Sequence, residues 1–314
     1  MNTNPIRVLV AACMACTLLF SGGCSSASSA SSTSQEIKHE GDPRDPTPQV
    51  LVPSADDTVT FQNDVASIDA SNSSKGYIMA SYSGSNEKVK LQVTGPDGDC
   101  YTYLISDRGN YNVFPLTAGD GSYSLQVLEN VSGDSYMISL DASIDVTLES
   151  EFDPFLYPNQ YVNFNTDSSV VEKSKELATD TWTDLEVVEH IYNYVTQNIS
   201  YDTDKAESVS YGYLPSIDET LSSGKGICFD YAALMSALLR IQRIPTKLQV
   251  GYSGDAYHAW ISTYVDEAGW VDNIIEFDGK DWQLMDPTLA ANNDQASVKE
   301  YVGDGSNYIV KYSY

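Results

Sequence analysis

The sequence predicts an α+β protein in which an all-β sandwich precedes a second domain of helices and strands. Three observations carry this prediction. Short runs with alternating apolar residues fill positions 56–150, two amphipathic helical segments follow them, and a long apolar helix then gives way to further strands. Both folded segments are close to the usual size of a domain, so each is long enough to form a core of its own.

The first 23 residues are typical of an export signal. A short charged segment that ends at Arg7 precedes a mostly apolar run at 8–20, which is too short to span a bilayer. The small residues before Cys24 resemble the lipobox of bacterial lipoproteins, although Ser21 stands where leucine is usual. This resemblance implies cleavage before Cys24 and attachment of diacylglycerol to its sulfur. An ordinary secretory signal cleaved nearby is the alternative, and in both cases the protein leaves the cytoplasm.

Residues 24–55 are rich in Ser, Pro, Asp and Thr and have almost no apolar periodicity. They predict a disordered tether that lifts the folded part off the membrane. The net charge of the whole chain is −27, which disfavours nucleic acid and anionic membrane surfaces as partners. Contact with the membrane is therefore expected through the lipid anchor only. The Asp/Gly clusters at 96–99 and 303–306 lack the spacing of a calcium loop, so we predict turns there and no metal or cofactor.

The β-sandwich is predicted for residues 56–150. Its clearest strands are 89–93, 101–105, 123–128 and 136–148. The last of these has an apolar residue at every second position, as one buried face of a sheet requires. The default role for this domain is that of a spacer or packing partner, and binding of carbohydrate or protein is the alternative.

A connector at 151–167 leads into the second domain, 168–314, which opens with two helices. Each helix begins with a capping-box pattern. The two pairs are Ser169 with Glu172 and Thr183 with Glu186. The second helix is predicted to run from 184 to 199 and to pack its apolar stripe beside the helix that follows.

That following helix lies within 224–240, GKGICFDYAALMSALLR, and Cys228 is at its start. Unpaired amides and the positive end of the helix dipole favour an anion at this position, and the thiolate is the nucleophilic form of cysteine. Alone, a free cysteine is more often an inert buried side chain. Asp230 falls in the first helical turn, where we expect it to stabilise the dipole.

Two later segments predict strands that end near chemically useful side chains. Segment 257–265 has His258 near its start, and segment 281–288 delivers Asp286 at its exit, where Pro287 favours an extended backbone. Nucleophile, base and orienting carboxylate would then come from one helix end and two strands. The alternative for Asp286 is that it caps a strand and bonds the next turn.

His258 is the expected base because the other two histidines of the chain lie elsewhere. His39 falls in the polar tether. His190 lies on the helix at 184–199 but off its apolar stripe, so we expect it to be solvated. Trp260 and Trp282 are interpreted as core or pocket-wall residues.

Together these motifs resemble the transglutaminase-like superfamily. The pattern GxGxCxDYA at the cysteine is followed by Gly251-Tyr252, by HAW at 258–260 and by WxLMDPT at 282–288. The resemblance implies a papain-like α+β core, in which the cysteine helix packs against an antiparallel sheet. It also implies roles for three residues. These are Cys228 as nucleophile, His258 as general base and Asp286 as the residue that orients the imidazole.

The resemblance leaves the second oxyanion donor open. Trp182, Gln197 and Tyr201 are all candidates, and the backbone amide of Cys228 is the expected first donor. Cysteine usage agrees with a free thiol, because Cys13 and Cys16 leave with the signal and Cys24 is the predicted lipidation site. Cys100 and Cys228 remain, and both are expected to be free, since a disulfide between them would silence the nucleophile. 

The leading hypothesis is thiol-dependent acyl transfer at an amide carbonyl, on the outer face of the bacterial cell membrane. The substrate would be a protein or peptide, with cell-wall peptide as one candidate. Water as acceptor would make the protein a cysteine peptidase or amidase, and an amine would make it a transglutaminase. The sequence leaves this choice and the oligomeric state open. The second hypothesis is a non-catalytic surface binding or adhesion protein of the same fold, against which the complete Cys, His and Asp set argues.

Overall fold

The described part of this computed structural model comprises residues 41–266, 269–272, 275–277, 282–284 and 307–314. Its N-terminal half is a sandwich of two four-stranded antiparallel sheets, as predicted. One sheet has the order β1-β2-β3-β6 and the other β5-β4-β7-β8. The strands are β1 (Thr60–Gln62), β2 (Ala66–Asp69), β3 (Tyr77–Tyr82), β4 (Val89–Thr94), β5 (Cys100–Leu104), β6 (Asn112–Pro115), β7 (Gly121–Ser132) and β8 (Ser135–Val146).

Alternation of buried and exposed residues builds the sandwich core. In β4, Val89, Leu91 and Val93 are buried while the residues between them are partly exposed, as expected for a strand with one face on the core. Ile78 and Phe114 of the other sheet are fully buried and belong to the same apolar cluster. Burial of these aliphatic and aromatic side chains stabilises the sandwich by about 1.5–3 kcal/mol for each large side chain.

The predicted single face of β8 is correct for only part of the strand. Ala142, Ile144 and Val146 are buried, but Ile138 is 52% exposed. The register between β7 and β8 shifts near Leu128, where Ile138 and Leu140 pair with consecutive residues of β7. This bulge inserts one residue and turns Ile138 to the outer face, so a regular two-residue period could not locate it.

The second domain consists of five helices, a four-stranded antiparallel sheet and two short strand pairs within the described residues. The sheet has the order β13-β12-β11-β16. The elements are α1 (Val170–Ala178), α2 (Asp184–Asn198), β9 (Ser200–Tyr201), α3 (Thr203–Ser208), α4 (Ile217–Ser223), β10 (Lys225–Gly226), α5 (Cys228–Ile241), β11 (Thr246–Ser253), β12 (Ala256–Val265), β13 (Gly269–Asp272), β14 (Ile275–Phe277), β15 (Trp282–Leu284) and β16 (Tyr308–Ser313).

Helix α5 is the centre of this domain. From Asp230 to Ile241 every residue is buried, because α1, α2 and α4 cover one side of the helix and β11 and β12 cover the other. A helix that is apolar all round requires such a position. Its first turn is the exception, since Cys228 and Phe229 remain partly exposed, and the helix therefore presents only its N-terminal end to solvent.

The two predicted helix starts differ in outcome. At α2, the Thr183 side chain accepts a hydrogen bond from Glu186 N–H at 3.1 Å, as a capping threonine should. At α1 the predicted capping box is wrong. The hydroxyl of Ser169 donates to Asp218 at 2.6 Å instead, so a carboxylate from α4 has replaced the local partner that sequence spacing suggested.

Arg240 ties the domain together near the end of α5. Its guanidinium is 2% exposed and donates to the carbonyl oxygens of Thr246, Tyr157 and Tyr314. Burial lowers the pKa of Arg240 to about 9, and several backbone acceptors compensate for the lost hydration. The contact fixes the position of Tyr314 and of the connector segment at Tyr157.

Residues 41–55, the last part of the predicted disordered tether, are ordered against the helices, so the prediction is wrong for them. The earlier part of the tether lies outside the described residues. Arg44 N–H donates to Thr181 O at 2.7 Å, and Gln49 N–H donates to Ile241 O at 2.8 Å. The Arg44 side chain also forms an ion pair with Asp184 at 2.6 Å. These bonds hold the segment against the helices, and its polar composition gave no sign of them.

Within the described part of the chain, no helix is long and apolar enough to cross a membrane.

An aromatic cluster joins the sandwich to the second domain. The Tyr101 ring on β5 lies 5.2 Å from the ring of Tyr312 and 5.7 Å from that of Tyr314. Tyr161, from the connector, lies 4.4 Å from Tyr314. These edge and tilted contacts are the arrangements that aromatic rings prefer. They place β5 beside the open end of α5.

Candidate active site

A cavity of about 520 Å³ opens at the N-terminal end of α5. Cys228 and His258 both line it, so the structure brings two of the three sequence-predicted residues to one site. The sandwich contributes Thr102 and Leu104, and the connector contributes Gln160 and Tyr161. No Asp, Glu, Lys or Arg is among the described lining residues, although the chain as a whole has a net charge of −27.

Cys228 is the first residue of α5 and is partly exposed to the cavity. The amides of the first helical turn have no acceptor within the helix, and the positive end of the dipole is at the same point. Negative charge on the sulfur, or on an oxygen next to it, is therefore stabilised here. Cys100 and Cys228 are both free, which confirms the prediction for the two cysteines that the structure describes.

The loop before Cys228 is shaped by Gly226 and Asp230. A Cβ atom on Gly226 would lie 2.6 Å from Asp230 Cβ, so only glycine fits at this position. Asp230 Oδ2 accepts a hydrogen bond from Ile227 N–H at 2.9 Å. The carboxylate thus closes the turn that leads into the cysteine.

Asp230 does more than the predicted stabilisation of the helix dipole. Its side chain is completely buried, forms an ion pair with Lys205 of α3 at 2.8 Å, and accepts a hydrogen bond from the hydroxyl of Tyr213. Burial together with the hydrogen bond to Asp230 raises the pKa of Tyr213 to about 12. Sequence spacing identified Asp230 but gave no sign of Lys205 or Tyr213 as its partners.

The Asp230 network also fixes a tyrosine-rich segment, 209–214, along the cavity. All six of its residues line the cavity, and Tyr211 is 83% exposed. Gly212 lies against the sandwich, because a Cβ on it would come within 2.4 Å of Leu104 Cδ1. This wall was missed in the sequence, where only the high tyrosine content of the chain hinted at it.

His258 lies on β12, opposite Gly251 of β11. A Cβ on Gly251 would lie 2.0 Å from Ile309 O, so glycine is required for the close approach of β16. Trp260 follows two residues later on the same face of β12, where it is 1% exposed and its ring lies 6.2 Å from the His258 ring in a stacked orientation. Trp260 is thus a core residue, as predicted, and its ring packs beside the imidazole of His258.

Of the three candidate oxyanion donors, only Tyr201 lines the cavity. It pairs with Gly226 in the short parallel ladder of β9 and β10, which puts it next to the loop that ends at Cys228. Burial and the neighbouring Cys228 thiol raise the pKa of Tyr201. The phenol therefore stays protonated near neutral pH and can donate a hydrogen bond.

Trp182 and Gln197 lie away from this ladder. Trp182 precedes α2, and its ring N–H donates to Gly41 O at 3.4 Å. Fifteen helical residues, or roughly 22 Å, separate it from Tyr201. Gln197 is exposed near the end of α2.

The remaining predicted residues have different outcomes. His190 is exposed, as expected, and its ring Nδ1 lies 3.0 Å from Leu177 O. Asp286 and Cys24 lie outside the described residues, as does His39. Strand β15 covers part of the segment predicted to deliver Asp286 and pairs antiparallel with β14.

Part of the second domain is similar to known proteins. Residues 172–273 match the family model described as the transglutaminase-like superfamily. A UPF0252 protein of Methanocaldococcus jannaschii is 33% identical over 96 aligned residues, which cover 27% of each chain. The alignment thus spans only about a quarter of that relative.

Solved structures with a related chain path include two bacterial proteins and one from a fish. A candidate cysteine protease from Cytophaga hutchinsonii has a TM-score of 0.35 and 16% identity, covering 74% of this chain and 69% of its own. A candidate protease from Parabacteroides distasonis has a TM-score of 0.30 and 13% identity, and the match covers 67% of this chain and 63% of the protease. Red sea bream transglutaminase has a TM-score of 0.29 and 14% identity, and the match covers 69% of this chain and 48% of the transglutaminase.

Proposed function

We propose that the protein is an extracytoplasmic enzyme that transfers the acyl group of an amide through a thioester on Cys228. The match of residues 172–273 to the transglutaminase-like superfamily model supports this proposal. The family match supports a general thiol-dependent acyltransferase or peptidase. One observation carries the finer proposal. A cysteine at a helix N-terminus and a histidine on the facing strand line one cavity, and no Asp, Glu, Lys or Arg is among its described lining residues.

The first half of the reaction follows from the chemistry of these groups. His258 accepts the thiol proton, and the sulfur attacks the carbonyl carbon of the amide. The oxyanion of the tetrahedral intermediate accepts hydrogen bonds from the Cys228 amide and from the Tyr201 hydroxyl. When the C–N bond breaks, the imidazolium returns its proton to the leaving amine. Asp286, the expected orienting residue, would hold the ring in the tautomer that accepts the thiol proton.

The second half of the reaction decides the class of enzyme. Attack of water on the thioester, with His258 as base, gives a carboxylic acid and makes the protein a peptidase or amidase. Attack of a primary amine gives a new amide and makes it a transglutaminase. Both routes use the same three residues, so the acceptor that reaches the thioester determines the product.

An assay with two readouts tests this proposal. Mature protein is incubated with glutamine-containing proteins and cell-wall peptides in the presence of a labelled primary amine. Incorporated label indicates transamidation, and release of a fragment or of ammonia without label indicates hydrolysis. Cys228→Ala should abolish either signal, while the matched control Cys100→Ser should retain it. Equal activity in the Cys228→Ala protein would overturn the thiol mechanism. No product with any substrate would favour the non-catalytic binding protein.

A further inference from the structure

Strand β5 forms an open edge of the sandwich. Within the described residues it pairs with β4 alone, and it is the terminal strand of its sheet. The hydrogen-bond pattern fixes which residues face outward. Ile105 N–H donates to Val89 O at 3.1 Å and Gly95 N–H donates to Asp99 O at 3.0 Å. In an antiparallel ladder the bonded pairs alternate, so the backbone groups of Thr102 and Leu104 point away from β4.

This edge lacks the features that usually prevent pairing with another chain. Natural edge strands carry charged residues, prolines or bulges. Strand β5, with the sequence CYTYL, has no charge and no proline, and its ladder with β4 has no register shift. Strand β8, at the opposite edge, contains Asp141 and Asp145 and is interrupted by register shifts. Only one of the two edges is therefore built to discourage a further strand.

The open edge is continuous with the candidate active site. Thr102 and Leu104, two of the residues whose amides face outward, line the same cavity as Cys228 and His258. The described wall of the cavity contains no Asp, Glu, Lys or Arg, and seven tyrosines supply much of it. They are Tyr161, Tyr201, Tyr211, Tyr213, Tyr257, Tyr312 and Tyr314. Aromatic rings of this kind accept apolar and neutral polar side chains.

We infer that β5 binds the acyl-donor substrate as an additional strand, so that an extended, uncharged peptide segment runs along Thr102 and Leu104 to Cys228. This inference rests on the proposed function and narrows its substrate to an unfolded or extended polypeptide. Backbone hydrogen bonds from the strand edge supply affinity, and the tyrosine-lined wall selects side chains. The sandwich is then a substrate-binding domain and more than a spacer.

Thr102→Pro tests the role of the edge. Proline removes the outward N–H, and an edge strand tolerates it where that N–H makes no ladder bond. Thr102→Ala keeps the N–H and is the matched control. Binding of a library of capped, uncharged ten-residue peptides is measured with Cys228→Ala protein, so that turnover plays no part. The proline variant should bind the peptides roughly tenfold more weakly, from the loss of one backbone bond with its partner left unpaired. The alanine variant should bind like its parent.

Hydrogen exchange gives an independent readout. Bound peptide should slow exchange of the Thr102 and Leu104 amides, while the Tyr103 and Ile105 amides, already bonded to β4, should be slow in both states. Equal peptide binding by the proline and alanine variants, or absence of peptide binding altogether, overturns the inference. Selective iodoacetamide alkylation of Cys228 in the Thr102→Pro protein with wild-type Cys228 reports separately on the thiol site. Retained alkylation with unchanged peptide binding rejects the edge and leaves the proposed function standing.

Discussion

Tyr201 lies directly opposite Gly226 in the parallel ladder of β9 and β10. Gly226 precedes Cys228 by two residues. The ladder is closed by Asp202 N–H, which donates to Gly226 O at 2.9 Å, and by Ser200 N–H, which donates to Gly224 O at 2.9 Å. Tyr201, in the short strand that follows α2, is thereby fixed to the loop that precedes Cys228. Such fixed placement is what an oxyanion donor requires, because its contribution depends on position within a few tenths of an ångström.

Tyr201→Phe should lower kcat about 10-fold to 100-fold and change KM little, since the lost hydrogen bond forms only with the oxyanion. Steady-state kinetics on the substrate identified by the amine-incorporation assay provide the measurement. Gln197→Ala, on the exposed surface of α2, is the matched control and should behave as wild type. An unchanged kcat for Tyr201→Phe would exclude the tyrosine as a donor.

Asp286→Asn should lower turnover roughly 10-fold to 1,000-fold, less than the loss for Cys228→Ala. In serine enzymes the corresponding change costs about 10⁴, but a cysteine is the more reactive nucleophile and needs less help from a third group. Asp286→Ala should lose more activity. Turnover per folded molecule is measured, with circular dichroism to determine the folded fraction. If both variants melt at lower temperature while the folded fraction retains full activity, Asp286 only caps its strand.

The raised pKa of Tyr213, caused by burial and by the hydrogen bond to Asp230, should make stability depend on pH in the alkaline range. The pKa of Tyr213 is about 12 in the folded protein and close to 10 in an unfolded chain. Between these values the unfolded chain loses its proton and the folded chain keeps it, so this contribution to stability falls as the pH rises from about 10 to 12.

The variant Tyr213→Phe isolates this effect. At pH 8 it should be less stable than wild type by about 1–2 kcal/mol, because a hydrogen bond to a buried carboxylate is lost. By pH 11 the difference in unfolding free energy should have narrowed, as measured by urea denaturation at each pH. A difference that stays constant across this range would show that the phenol does not stabilise the segment in this way.

The predicted lipid anchor is tested at Cys24. Cys24→Ala should move the protein from the membrane fraction to the soluble fraction or the medium. One acyl chain binds a membrane only weakly, so stable attachment requires at least two. Immunoblots of fractionated cells make the comparison. Equal membrane association of the two proteins would contradict the lipoprotein assignment and leave the catalytic proposal untouched.

Local patterns predicted much of the second domain. The start of α5 at Cys228, the strand that carries His258 and the span of α2 all follow from apolar periodicity and from the position of small residues, and the structure confirms them. These features depend on residues close together in the chain, where spacing determines which side chains share a face.

Contacts between distant segments could not be predicted in this way. Lys205 of α3 forms an ion pair with Asp230 of α5, and Leu104 of the sandwich contacts Gly212 of the second domain. The bulge in β8 and the bond from Ser169 to Asp218 likewise depend on neighbours supplied by tertiary packing. Much of the cavity wall is brought together by such tertiary contacts, so the sequence pointed to Cys228 and His258 but not to the residues around them.

The most direct test of the central claim is to trap the acyl-enzyme. Substrate is mixed with a molar excess of the wild-type protein. The reaction is quenched in acid within the first turnover, and the protein is analysed by intact mass and peptide mapping. We expect the mass of the acyl group on the peptide that contains Cys228, its presence in Cys100→Ser, and its disappearance when an amine or water is given time to react. Complete product formation with no adduct on Cys228, or an adduct on another residue, would contradict the account.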